Sequence, residues 1–142
     1  MSIYLSCFKT MRRSLAVVCL AWFAMFFSGC DDLQNNSLTT KDMVDHFVKN
    51  GIKVEQIQPV RPDVLKATEA VAVKISGTEI GIYKYNIDVK KQQEKVERIT
   101  DEGFVYVLGL KYPVLVKGTF VLIGVDTNPQ KDKIIAALKT FK

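Results

Sequence analysis

Cysteine and histidine are scarce in this sequence of 142 residues. Its cysteines are Cys7, Cys19 and Cys30, and its single histidine is His46. The chain after residue 30 therefore has no disulfide, and a zinc site there would lack a second nitrogen or sulfur ligand. No glycine-rich phosphate loop or dinucleotide-binding fingerprint occurs. The sequence thus lacks the usual signatures of structural zinc, disulfide and nucleotide chemistry, and no metal is expected.

The one long hydrophobic run is also short for a membrane helix. Ser14–Gly29 is uncharged over 16 residues, whereas a helix that crosses a hydrocarbon core of about 30 Å needs roughly 20 apolar residues. Arg12 and Arg13 precede the run, and small residues end it just before Cys30. A basic segment, an apolar segment and small residues in this order are typical of a secretory signal peptide.

The end of this run, Phe27, Ser28, Gly29 and Cys30, resembles the lipobox of a bacterial lipoprotein. The resemblance covers about 30 residues, and Phe27 departs from the usual aliphatic residue at its position. It implies cleavage between Gly29 and Cys30 and acylation, for example with palmitate, of the Cys30 thiol and usually of its new amino group. The alternative is an uncleaved signal anchor in which Cys30 is a free thiol.

Residues on both sides of the run refine this prediction. Met11 would start a conventional signal of 19 residues, so residues 1–10 are an upstream extension if translation begins there. Asp31 and Asp32 after the cysteine resemble the signal that retains lipoproteins in the inner membrane. The resemblance therefore implies an extracytoplasmic domain on the outer face of the cytoplasmic membrane, held by two or three acyl chains.

Charge and length after cleavage predict one domain that does not bind nucleic acid. Residues 1–29 contain three of the 20 basic residues and no acidic one, which leaves 17 basic against 15 acidic residues, a net charge of +2. The pI of about 9.1 therefore comes largely from the signal and is not a nucleic-acid footprint. The remaining 113 residues are a common single-domain size. We divide the chain into a signal (1–29), a lipidated cysteine with a short tether (30–38) and a domain (39–142).

The pattern of the domain predicts an α+β fold with the element order α, β, β, β, α, β, β, β, α. Thr39 with Asp42 reads as an N-cap that opens the first helix. Ser76 with Gly77 predicts one hairpin turn, and Lys117 with Gly118 predicts a second one between apolar strands. Short turns favour a largely antiparallel sheet of about five to six strands, in a two-layer sandwich with three amphipathic helices mainly on one face. Residues 104–110 and 114–125 are the predicted central strands, and Asn128 with Pro129 predicts the start of the last helix.

Few residues suggest chemistry. His46 lies one helical turn after Asp42, a spacing that allows a shared proton, although a locally paired imidazole is the simpler interpretation. Tyr83 and Tyr85 share one side of a strand, so they are a possible contact surface; alternatively they lie beneath a helix or cover the sheet edge. A calcium loop at residues 126–137 is excluded, because Lys131 stands where that loop needs glycine.

The favoured function is therefore noncatalytic: a membrane-anchored binding or adaptor lipoprotein of the cell envelope, with an envelope protein or envelope component as partner. One alternative is a small envelope enzyme that uses Asp42 and His46. The other is an inhibitory or exclusion-type lipoprotein that shields a neighbour. Apart from the covalent lipid on Cys30, no cofactor is expected.

Overall fold

The structure, a computed structural model, describes residues 34–142. Two short 3-10 turns, Gln34–Ser37 and Pro62–Leu65, accompany three helices and six strands. In chain order these are α1 Thr40–Lys49, β1 Val54–Pro59, β2 Glu69–Ile75, β3 Thr78–Lys84, α2 Lys90–Glu102, β4 Phe104–Val107, β5 Leu110–Lys117, β6 Phe120–Ile123 and α3 Lys131–Thr140. The predicted order of helices and strands is confirmed.

The six strands form one sheet in the order β1-β2-β3-β6-β5-β4, and every neighbouring pair is antiparallel. Three of the hairpins close through two-residue turns, at 76–77, 108–109 and 118–119. The helices cover the faces of this sheet. The α+β class and the antiparallel sheet predicted from the sequence are therefore confirmed.

The two outer helices begin in different ways. Thr39 and Asp42 form a reciprocal capping box at the start of α1, as predicted. The last helix begins at Lys131, later than predicted. Gln130 N nevertheless donates at 2.8 Å to Oδ1 of the Asn128 side chain. Asn128 is buried, and its amide donates to Ile75 O at 2.8 Å and to Thr78 Oγ1 at 2.6 Å. Asn128 thus fastens the loop before α3 to the β2–β3 turn.

Two hydrophobic clusters lie on opposite faces of the sheet. The first contains the inward sides of α1 and α3, packed on alternate residues of β2, β3 and β6 such as Val73, Ile82 and Leu122. The second contains Val96 and Ile99 of α2 packed on the other face. Because neighbouring residues of a strand point to opposite faces, each strand contributes to both clusters. Two helices therefore share one face, as expected, and α2 covers part of the opposite face.

The domain begins earlier than the sequence suggested. Asn35 is 3% exposed; its amide donates to Lys117 O at 3.2 Å, and its Oδ1 accepts from Thr119 N at 2.9 Å. Leu38 packs against the first hydrophobic cluster. The predicted tether of residues 30–38 is therefore wrong at its end, because residues from Asn35 onward are hydrogen-bonded into the fold.

The residues of the predicted lipid anchor, Ser28, Gly29, Cys30, Asp31 and Asp32, lie outside the described residues. Within residues 34–142, no helix has the length and apolar character needed to cross a membrane.

Candidate functional site

The second face of the sheet is only partly covered, and the uncovered part is a cleft. Val96 and Ile99 of α2 pack with Val105 of β4 and Val121 of β6, and no residue of α2 lines the cleft. The cleft has a volume of about 460 Å³, within the range of small-molecule and side-chain binding pockets. It lies between strands β2 and β3 and the β4–β5 hairpin, and its lining includes Val60, Ala72, Tyr83, Val107, Tyr112 and Ile123.

Small residues on adjacent strands form the floor of this cleft. Ala72 and Gly81 are directly paired between β2 and β3, and Gly81 is also paired with Ile123 of β6. The Tyr83 ring lies beside Gly81, since a Cβ built on Gly81 would approach Tyr83 Cε2 to 3.0 Å. The Tyr83 ring thus covers Gly81, and the open part of the cleft is bounded by Ala72, Tyr83 and Tyr112.

The rim of the cleft carries negative charge. Glu79 and Asp126 line it, and no Lys, Arg or His does. Asp126 accepts a hydrogen bond from Lys131, whereas Glu79 forms no ion pair within residues 34–142. Lys74 of β2 is the direct cross-strand partner of Glu79 but forms no ion pair with it. The Glu79 carboxylate is therefore open to a cationic group that approaches the cleft.

The β4–β5 hairpin next to the cleft ends in exposed hydrophobic side chains. Leu108 is 97% exposed, and Tyr106 and Leu110 on either side of it are each 62% exposed. Val107 and Tyr112 of the same hairpin line the cleft. We call Tyr106, Leu108 and Leu110 the apolar tip. An apolar protrusion and an apolar cavity are thus neighbours on one surface.

The backbone at the apolar tip is in a conformation that leucine does not favour. Leu108 has φ +50° and Gly109 has φ +82°, and the turn closes between Val107 and Leu110. Positive φ at both central residues defines a type I′ turn, for which Asn-Gly is the preferred sequence. A left-handed conformation costs an L-residue with a Cβ roughly 1–2 kcal/mol. Leu108 therefore has a backbone conformation that leucine disfavours and an apolar side chain exposed to water. Residues that depart in this way from the usual preferences are often found at functional sites.

The cleft extends from Tyr83, which is next to Lys84, to Glu79 and Asp126 at the end of the sheet remote from the first described residues. Asn35 is bonded to the β5–β6 turn at the end of β5, and Lys84 Nζ at the end of β3 donates to Asn36 O at 2.9 Å. The apolar tip precedes the other end of β5, which is 8 residues long, or on the order of 25 Å at about 3.4 Å per residue. The first described residues are therefore fastened at the end of the sheet remote from the apolar tip.

Lys84 is a buried cation that fixes this attachment end. It is 3% exposed, and its ammonium group donates to Asn36 O, to Asn36 Oδ1 at 3.3 Å and to Tyr85 O at 2.6 Å. Burial lowers the pKa of Lys84, and the negative charges of Glu69 and Asp88 partly offset this effect. All three ammonium donors have acceptors, so the structure gives Lys84 a stabilising role.

The two tyrosines predicted as a contact surface have different environments. Both contribute to the second cluster, so they share one side of β3 as expected. Tyr83 is half-buried and lines the cleft. Tyr85 is 0% exposed, packs beneath α2, and donates from its hydroxyl to Leu65 O at 3.0 Å. The prediction that Tyr85 is a surface contact is wrong, because α2 covers it, and that burial raises its pKa.

Asp42 and His46 make separate sets of hydrogen bonds. Asp42 accepts from Thr39 N at 2.7 Å and from Thr39 Oγ1 at 2.8 Å, and these bonds hold its pKa below the usual value. His46 Nε2 lies 2.8 Å from Ala137 O and 3.1 Å from Thr140 Oγ1. A carbonyl only accepts, so Nε2 carries a proton that it donates to α3. Each side chain is thus used to fix α1, and among the described residues no group of three possible metal ligands occurs.

Two features of the site were not predicted from the sequence. We predicted a continuous strand over 104–110, whereas the chain turns at Leu108–Gly109. Gly109 is a residue typical of such a turn. The residue before it, however, is leucine in an apolar run, and leucine is unusual at that position of the turn. The small residues Ala72 and Gly81 were also not recognised as a cleft floor, since their alignment depends on strand register.

Comparison of the chain with protein-family models, with curated proteins and with solved structures found no match in any of the three. The candidate site therefore has to be interpreted from its own geometry.

Proposed function

We propose that this protein is a lipid-anchored, noncatalytic binding module of the bacterial cell envelope, and that the cleft receives its partner. The observation that carries the proposal is the position of the cleft. The chain enters the domain near Asn35, and the cleft opens at the end of the sheet remote from Asn35. A lipid on Cys30 would hold one end of the domain at the membrane and direct the cleft and the apolar tip away from it.

The length of the chain between anchor and fold supports this arrangement. Four residues, Asp31–Gln34, separate Cys30 from Asn35, and the extended distance is at most about 18 Å. So short a connection limits the orientations of the domain. The outer face of the cytoplasmic membrane, which Asp31 and Asp32 favour, places the cleft where it meets envelope proteins or envelope components.

The character of the cleft supports binding more than catalysis. Its lining is mostly apolar, with the hydroxyls of Tyr83 and Tyr112 as polar groups and carboxylates at the rim. Aromatic residues with a polar end are enriched at protein contacts. The alternative, an enzyme based on Asp42 and His46, is less favoured because both side chains are committed to other hydrogen bonds. If Asp42→Asn with His46→Gln abolished the phenotype of the gene without loss of folded protein, the enzyme would be favoured.

Photo-cross-linking in membranes tests the proposed binding site. Tyr83 in the full chain is replaced by p-azidophenylalanine, which carries an azide in place of the tyrosine hydroxyl, and the cross-linked product is identified by mass spectrometry. The matched control carries the same probe at Val48, an apolar residue on α1 that is 54% exposed. We expect a discrete adduct from position 83, lost when Ala72→Leu fills the cleft, and none from position 48. No adduct at 83, or the same adducts at both positions, would refute a binding role for the cleft.

A further inference from the structure

We infer that the partner of the cleft is the apolar tip of a second copy of this chain, so that two copies exchange tips in a symmetric dimer. This inference rests on the proposed function of the cleft as a binding site. A two-fold symmetric interface uses the same surface on both subunits and must therefore be self-complementary. The surface described above has this property, because an apolar tip and an apolar cleft adjoin each other.

The shape of the two parts is complementary. Leu108 protrudes at the end of a two-residue turn and is 97% exposed. The cleft has room for it, with a volume of about 460 Å³. Burial of a leucine side chain stabilises an association because it removes apolar surface from water. In the dimer this burial occurs twice, and it offsets the unfavourable backbone conformation and exposure of Leu108 in the monomer.

The charges are complementary as well. Lys111 follows the tip; it is exposed, lies over the Phe104 ring at 3.8 Å from the centroid, and forms no ion pair within residues 34–142. The rim of the cleft carries Glu79, which is likewise without an ion pair in the described chain. An apolar tip with a cation beside it thus meets an apolar cleft with a carboxylate beside it. We therefore assign Glu79 of each copy as the partner of Lys111 of the other.

The size of the contact predicts a weak dimer that depends on the membrane. Stable interfaces bury about 20–30 residues a side, more than the apolar tip and the cleft lining together provide. Attachment to one membrane raises the local concentration of the copies in the way that a linker does. The association is therefore best measured with the full chain in membranes.

The test uses two differently tagged full-length copies expressed in the same cells. The first copy carries p-benzoylphenylalanine in place of Tyr106, and the cross-linked heterodimer is quantified after capture through both tags. We expect a cross-link to a peptide of the second copy that lines the cleft. Leu108→Asn in the first copy, or Ala72→Leu in the second, should lower the yield at least tenfold. The matched control, Ile57→Asn in the first copy, replaces an apolar residue that is 54% exposed on β1 and should leave the yield unchanged.

Charge reversal distinguishes a specific dimer from general stickiness of the tip. Lys111→Glu in the probe-bearing copy should lower the yield several-fold, and Glu79→Lys in the other copy should restore it. Absence of any cross-link between the copies, or failure of Glu79→Lys to restore the yield, overturns the dimer. A cross-link from position 106 only to another protein or to lipid also overturns it. With any of these three outcomes, an adduct from position 83 would still support the proposed binding function of the cleft.

Discussion

Replacement of Leu108 by asparagine is expected to stabilise the domain while it removes the most exposed apolar side chain. Leu108 has φ +50° and precedes Gly109, so the substitution creates an Asn-Gly pair in a type I′ turn. Relief of part of the roughly 1–2 kcal/mol cost of the left-handed conformation should raise the free energy of unfolding by about 0.5–1 kcal/mol. Little burial is lost in return, because Leu108 is 97% exposed.

The measurement is urea unfolding followed by far-UV circular dichroism, with the domain from Asp31 onward, which contains every described residue of both hydrophobic clusters. In thermal unfolding followed by the same signal, a rise of this size moves the melting temperature of a domain of about 100 residues upward by about 2–8 °C. Ile57→Asn is the matched control, since Ile57 is an exposed apolar residue within a strand. Asparagine disfavours strands, so that variant should be neutral or less stable. Equal or lower stability of Leu108→Asn would refute the argument that the turn is strained.

Three further substitutions test the packing of the domain. Asn35→Ala removes the acceptor of the buried Thr119 N–H and should lower the free energy of unfolding by about 1–3 kcal/mol; an unchanged value would mean that the domain begins later than Asn35. Tyr85→Phe should cost about 1–2 kcal/mol at pH 7, because a buried carbonyl loses its donor. Burial raises the pKa of Tyr85 above that of an unfolded tyrosine, near 10, so its contribution is complete below pH 10 and is lost as the pH rises further. The stability of the wild-type protein should therefore fall more steeply from pH 9.5 to 11 than that of Tyr85→Phe, and parallel curves would contradict the assignment. His46→Ala should lower the melting temperature, because the imidazole joins α1 to α3, and it should leave the Tyr83 cross-link intact; loss of the cross-link in a fully folded His46→Ala protein would contradict a purely structural role.

Local sequence signals predicted those parts of the fold that local interactions determine. The capping box at Thr39 and Asp42 and the turn at Ser76–Gly77 depend on residues close in sequence, and both occur as expected. Helix α3 begins later than Asn128 and Pro129 predicted, and the Asn128 amide also bonds to the β2–β3 turn, a contact between residues more than 50 positions apart. Tertiary hydrogen bonds of this kind leave no pattern in the local sequence.

The candidate site was less predictable, because it depends on register and on which part of the sheet a helix covers. Tyr83 and Tyr85 have the same strand face and the same residue type, yet α2 covers only Tyr85. The cleft floor requires Ala72 to pair with Gly81, which follows from the β2–β3 register. The Leu108–Gly109 turn opposes the usual preference for Asn or Gly, so a search for preferred turn residues does not find it.

The proposed orientation of the cleft depends on lipidation of Cys30, so the chemical state of that residue is the most direct test. The measurement is intact mass and peptide mapping of the native protein extracted from membranes. We expect an N-terminal peptide that begins at Cys30 and carries covalent acyl chains on that residue, with no peptide from residues 11–29. An unmodified chain that retains residues 11–29 would contradict the lipid anchor and, with it, the proposed placement of the cleft away from the membrane.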